Sequence, residues 1–163
     1  MHVKKNSIES YKRNKKAIER RKVNDSSKYM GWNLKHYSKV NTDELRLLLP
    51  ELSKNERIVL FSLLPYVGYD NCLLKHMNGK PLNIESIANI SDLSISTTEK
   101  TVNSLREKYI LCKEKINKNV QYYINPWICS RGSKLDGTLK MKFKNYKIRI
   151  YKDVEWQDIK ECK

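Results

Sequence analysis

The sequence predicts a mainly α-helical fold with one small β-hairpin. Several segments with helical periodicity, each opened by a capping residue, occupy the middle of the chain. Two strand-like runs, 111–116 and 120–125, follow the last of them and are separated by a short polar loop. With a short strand over 72–76, the order is helix, strand, helix, helix, hairpin. This order predicts a winged helix-turn-helix.

Capping patterns indicate the first two helices. Thr42 precedes two acidic residues and a leucine run that ends at Pro50. Ser53 and Glu56 form a capping box, and the residues behind them are apolar on nearly all sides of a helix. We therefore expect the second helix to be the buried centre of the domain.

The helix-turn-helix is predicted to follow. Asn83 caps a short helix, and Ser94 caps a longer one over 95–108. One face of the longer helix carries the side chains expected to pack on the core: Ile95, Thr98, Val102 and Leu105.

The opposite face of the longer helix carries small polar, amide and cationic side chains. Such groups hydrogen-bond base edges and phosphates without bulk, so this helix is predicted to enter the major groove of DNA. The free N–H groups at the N-terminus of this helix, and the positive end of its dipole, favour binding of a phosphate there. The predicted contacts are Ser94, Ser96, Thr97, Lys100, Asn103 and Ser104. An ordinary solvated helix face is the alternative.

The hairpin supplies the second set of predicted DNA contacts. These are Lys113, Lys115, Asn117, Lys118 and Asn119, the last three forming the loop. Cations on a protruding hairpin can clamp phosphate or probe the minor groove. The alternative is that the lysines protect an edge strand from aggregation, and both roles can hold together.

The net charge of +15 is unevenly distributed. Residues 1–40 hold 12 Lys and Arg against 3 Asp and Glu, residues 41–110 hold 8 against 9, and residues 111–163 hold 13 against 6. A near-neutral body with basic flanks is typical of a protein that binds a polyanion. We interpret residues 1–28 as a basic N-terminal arm for the DNA backbone, with a solvated tail as the alternative. Its predicted contacts are Lys12, Arg13, Lys15, Lys16, Arg20 and Arg21.

The remaining chain divides into residues 29–126, the winged helix-turn-helix domain, and residues 127–163, a basic C-terminal extension. In the extension, 139–143 alternates as a strand would, yet Leu139, Phe143 and Tyr146 have helical spacing. We favour a helix capped near Asp136, followed by an extended run over 148–151.

Other classes of protein are disfavoured. The sequence has no apolar run long enough to span a membrane and no secretory signal, so a cytoplasmic protein is expected. Its cysteines are too far apart for a zinc site, and no metal or cofactor is expected. Clustered histidines and a P-loop are also missing from the sequence, which predicts no catalytic residues and no enzymatic activity.

Part of the sequence resembles a known family. The motifs are 105–111 (LREKYIL), 122–126 (YYINP) and Arg131-Gly132, with an upstream segment over 31–40. Over roughly residues 30–150 the chain is similar to the RepL-type plasmid replication proteins of Gram-positive bacteria, which have winged-helix relatives on phages. The resemblance implies binding to an origin or operator and initiation of replication.

Sequence-specific binding to double-stranded DNA is therefore the expected function, in plasmid or phage replication initiation. A transcriptional regulator, such as a repressor of a mobile genetic element, is the main alternative, and a non-enzymatic partition or assembly protein is a third. One recognition helix contacts few base pairs, so a homodimer on half-sites about one helical turn apart is expected. Host replication proteins are possible further partners.

Overall fold

The computed structural model describes residues 37–159. Its α-helices are numbered α1 to α5: Thr42–Leu48, Lys54–Leu63, Ile84–Ser91, Ile95–Glu107 and Thr138–Lys142. Its strands are numbered β1 to β6: Lys39–Val40, Leu111–Ile116, Asn119–Ile124, Cys129–Ser130, Lys147–Ile148 and Val154–Glu155. They pair antiparallel as β1 with β4, β2 with β3, and β5 with β6. The described chain is mainly helical with small antiparallel sheets, in an order consistent with a winged helix-turn-helix. No described helix is long and apolar enough to cross a membrane.

Each of the first four helices begins where a side chain accepts a hydrogen bond from a backbone N–H group. Three predicted caps are confirmed: Ser53, Asn83 and Ser94. The cap of α1 is Asn41 rather than Thr42. The Asn41 Oδ1 atom accepts from the N–H of Glu44, which makes Thr42 the first helical residue.

Helix α2 lies in the core and packs on both α3 and α4. Val59, Leu60 and Leu63 on its inner face are fully buried. The prediction that this helix is buried is correct for that face only, since Phe61 on the outer side is 44% exposed. Because α2 contacts both helices of the helix-turn-helix, it fixes their relative position.

The short strand predicted over 72–76 takes the form of isolated bridges. Leu73 pairs with Tyr123 of β3, and the N–H of Leu74 donates to the carbonyl of Tyr122. These bonds attach the segment to the β2–β3 hairpin and so tie the hairpin to the helical core.

The β2–β3 hairpin has a tighter turn than the sequence predicted. Asn119 already pairs with Ile116, which leaves only Asn117 and Lys118 in the turn. Both have positive φ angles, 47° and 70°. A two-residue turn with positive φ at both positions is type I′, whose twist matches that of the strands. The prediction of a three-residue loop over 117–119 is therefore wrong.

The described part of the C-terminal extension shares the hydrophobic core with the helices. Leu139, Phe143 and Tyr146 are buried, in agreement with their helical spacing. Helix α5 is short, and the Asp136 Oδ1 atom accepts from the N–H of Thr138 at its start. The helix predicted near Asp136 is thus confirmed in a shorter form.

A buried carboxylate fastens this segment to α1. Glu44 is fully buried and accepts from the Tyr146 hydroxyl at 2.7 Å. It also accepts from the backbone N–H groups of Arg149 at 2.9 Å and Ile150 at 3.1 Å. The Arg149 side chain pairs in turn with Glu51 at 2.6 Å. A buried charge with this many donors is satisfied, so the C-terminal segment is anchored to α1.

Candidate nucleic-acid interface

Helix α4 presents a continuous exposed arc on the side away from the core. Its buried side chains are Thr98, Thr101, Val102 and Leu105. Its exposed side chains span an arc of about 140°, at about 100° per residue. They are Ile95, Ser96, Glu99, Lys100, Asn103 and Glu107. These six residues form the exposed arc of α4.

The buried stripe of α4 is rotated by roughly 30° from its predicted position. Ile95, predicted to pack on the core, is 50% exposed, while Thr101 is buried. Ser104, predicted to face outward, turns toward α2 and donates to Glu56 at 2.8 Å. Because Glu56 binds both Ser104 and Lys108, this side of α4 faces α2 and Ile95 turns out of the core.

Glu56 fixes α4 against the start of α2. Its carboxylate accepts from Lys108 Nζ at 2.7 Å and from the N–H of Ser53 at 2.7 Å, in addition to Ser104. Burial alone would raise the pKa of Glu56, but the hydrogen bonds from Lys108, Ser53 and Ser104 outweigh burial and lower that pKa to about 2. The ionised carboxylate therefore holds the candidate recognition helix in place at neutral pH.

Two residues of the first turn of α4 bind each other. The Ser94 Oγ atom accepts from the N–H of Thr97 at 3.2 Å and donates to the Thr97 hydroxyl oxygen at 2.8 Å. The exposed side chains at this end of the helix are those of Ser94, Ile95 and Ser96. The turn contains no acidic residue, so no carboxylate within it would repel a phosphate.

Two residues of the exposed arc have the clearest base-reading chemistry. Lys100 and Asn103 are both exposed, as predicted from the sequence. The Asn103 Oδ1 atom accepts from Arg106 Nη1 at 2.9 Å. Sequence reasoning missed Arg106 as an orienting partner, although its spacing of three residues from Asn103 is a recognised signal for such a pair. The charged side chains of α4 (Glu99, Lys100, Arg106 and Glu107) carry no net charge together.

The hairpin turns two of its predicted lysines toward the α4 side. Lys113 lies opposite Tyr122, and Lys115 lies opposite Val120, so these side chains share one face of the hairpin. Lys113, Val120 and Tyr122 line a cleft together with residues of α4. This face therefore places cations beside the exposed arc.

The other face of the hairpin is contacted by Lys142, the last residue of α5. Lys142 pairs with Glu114, and its ammonium nitrogen lies 4.6 Å from the ring centroid of Tyr123. The single acidic side chain of the hairpin is thereby paired on the side away from α4.

The cleft between α4 and the hairpin has a volume of about 400 Å³. Asn83 contributes from the cap of α3, Glu99 and Asn103 from α4, and Lys113 and Tyr122 from the hairpin. Sequence reasoning missed Glu99 and Tyr122, because the cleft exists only once the hairpin has folded back beside α4.

The predicted arm contacts lie outside the described residues and remain predictions. They are Lys12, Arg13, Lys15, Lys16, Arg20 and Arg21.

The described elements define a helix-turn-helix followed by a hairpin, with an exposed helical arc beside a lysine-bearing face. No family model matches the sequence, and no curated protein matches it. Among solved structures, the chain is similar to one described as TubR bound to 24 bp of tubC from Bacillus thuringiensis serovar israelensis pBtoxis. The identity is 19%, the match covers 53% of this chain and 82% of that chain, and the TM-score is 0.35.

Proposed function

We propose that this chain is a winged helix-turn-helix protein that binds double-stranded DNA sequence-specifically and acts without catalysis. The observation that carries the proposal is the exposed arc of α4 beside the lysine face of the hairpin. An α-helix fits the major groove, and cations on a neighbouring hairpin reach the flanking phosphates.

Helix α4 and the hairpin make different contributions to the proposed DNA binding. The exposed arc of α4 has polar, amide and apolar groups, and its charged members Glu99, Lys100 and Glu107 give it a net charge of −1. Its contribution is therefore to discriminate between bases rather than to attract DNA. Asn103 can pair bidentately with adenine, and Lys100 can reach guanine or phosphate. Lys113, Lys115 and Lys118 supply electrostatic attraction to the phosphates, which does not depend on the base sequence of the DNA.

The cellular role we propose is initiation of plasmid or phage replication by a homodimer on repeated half-sites. The role rests on the resemblance to RepL-type proteins, and the dimer rests on the small number of base pairs that one α4 can contact. A gene for this chain, supplied with its own locus, should sustain a plasmid that lacks an origin. A chain that instead only silences its own promoter is a repressor.

The DNA-binding proposal is tested by comparing two amide residues. A duplex is selected from a random library with the full chain, and affinities are measured for this duplex and a scrambled one. Asn103→Ala should cost about 1–3 kcal/mol on the selected duplex and little on the scrambled one. Asn89→Ala removes an exposed amide from α3 instead, and should leave the ratio of the two affinities unchanged.

Equal losses on both duplexes, or no loss on either, would show that Asn103 does not read a base. Sedimentation of the chain on duplexes with one and two half-sites tests the dimer. Independent binding of one monomer to each half-site would contradict it.

A further inference from the structure

Ile95 is the apolar member of the exposed arc. It is the first residue of α4 and is 50% exposed, because the Glu56 contacts rotate the buried stripe away from it. Packing in the core therefore does not account for a branched alkyl side chain at this position.

The surroundings of Ile95 restrict what the first turn can offer to a base edge. The exposed side chains at this end of α4 are Ser94, Ile95 and Ser96, and the Ser94 hydroxyl already donates to the Thr97 hydroxyl oxygen. Ile95 is the one apolar side chain among these three. An alkyl group accepts and donates no hydrogen bond. In the major groove, the apolar group that distinguishes one base from the others is the C5-methyl group of thymine.

We infer that Ile95 is a specificity-determining residue whose side chain contacts the C5-methyl group of a thymine in the major groove. The inference rests on the proposed function and names a base that the same interface reads. Recognition helices place their N-terminal residues against base edges, and Ile95 is the first residue of α4. Asn103 is eight residues further along, or about 12 Å, so this thymine should lie within about four base pairs of the base that Asn103 reads.

The experiment removes single methyl groups from the DNA. Each thymidine of the selected duplex is replaced in turn by deoxyuridine, which keeps the base pair and lacks the methyl group. The full chain and its Ile95→Val and Ile95→Ala variants are titrated against every duplex. Ile116→Ala serves as the control, since Ile116 is an apolar side chain of the hairpin with 40% exposure.

At one position, loss of the methyl group should weaken wild-type binding by about fourfold. Ile95→Val should be less sensitive at that position, and Ile95→Ala should be insensitive. Ile116→Ala should respond as the wild type does. Since Ile95 is half exposed, its variants should unfold at the wild-type temperature. If Ile95→Ala does not fold, the sensitivity to loss of the methyl group is compared between the wild type and Ile95→Val.

The failures of the inference and of the proposed function are distinguishable. Selective binding with no methyl-sensitive thymine, or with equal sensitivity in the wild type and Ile95→Ala, overturns the role of Ile95 alone. Failure to select any duplex overturns the proposed function and this inference together.

Discussion

The turn of the hairpin predicts that one substitution will raise stability and lower DNA affinity. Lys118 has a φ of 70°. A side chain other than glycine costs about 1–2 kcal/mol in the left-handed region. Glycine adopts that region freely but loses about 0.5–1 kcal/mol more conformational entropy on folding. Lys118→Gly should therefore stabilise the fold by about 0.5–1 kcal/mol and raise Tm by about 1–4 °C.

The same substitution removes the ammonium group from the hairpin tip. If Lys118 contacts a phosphate, affinity should fall by a similar factor on the selected and the scrambled duplex. The slope of log Kd against log salt should fall by about 1. Calorimetry gives the Tm, and anisotropy titrations at several salt concentrations give the slope. Asn117→Gly is the matched control, because asparagine tolerates a positive φ and has no charge to lose.

Each half of this prediction can fail separately. A Lys118→Gly variant that is less stable than the wild type would contradict the type I′ turn. A variant that is more stable and retains the full salt slope would place the hairpin tip away from the DNA. The lysines would then be better explained as protection of an edge strand.

Two further substitutions test what holds α4 and the hairpin in place. Glu56→Gln should destabilise the protein by roughly 3 kcal/mol at neutral pH. This deficit should shrink as the pH falls from about 4.5 to about 2, because the lowered pKa makes the ionised form the stabilising one. Denaturant unfolding at stepped pH measures the deficit, and one that is independent of pH would contradict the role of the carboxylate. Gly132→Ala should cost about 2 kcal/mol by the same measurement, because Gly132 has a φ of 101° and its Cβ would lie 2.2 Å from Asp70 Oδ1. Gly137→Ala, with a φ of −59° and an open surrounding, should cause no loss, and equal effects of the two substitutions would contradict the strained loop.

The parts of the fold that the sequence predicted well depend on contacts between near neighbours. The caps Ser53, Asn83 and Ser94 each bind a backbone N–H three residues ahead, so a short window contains the whole interaction. The arc residues Lys100 and Asn103 were found for the same reason, since helical periodicity alone places them opposite the core.

The parts that the sequence did not predict depend on distant residues. Ser104 turns away from the arc because of Glu56, which lies 48 residues earlier, and this rotation exposes Ile95. Glu44 lies in the first turn of α1, where an acidic side chain ordinarily stabilises the helix N-terminus. It is instead buried, and its hydrogen-bond donors lie more than 100 residues later in the chain. Local patterns do not contain such partners, so they predict the type of an element better than its rotation.

The residues behind the family resemblance have structural roles in this chain. Asn125 is fully buried, donates to the carbonyl of Tyr109 at 2.9 Å and accepts from the N–H of Trp127 at 2.9 Å, which closes the end of the hairpin. Gly132 supplies the positive φ and the missing Cβ that let its loop approach Asp70. Such residues are needed wherever a chain adopts this connection, whichever DNA it binds. If the chain binds DNA as proposed, the choice of DNA depends on side chains outside the motif. For that reason, the tests that bear on function are those at the exposed arc and the hairpin tip.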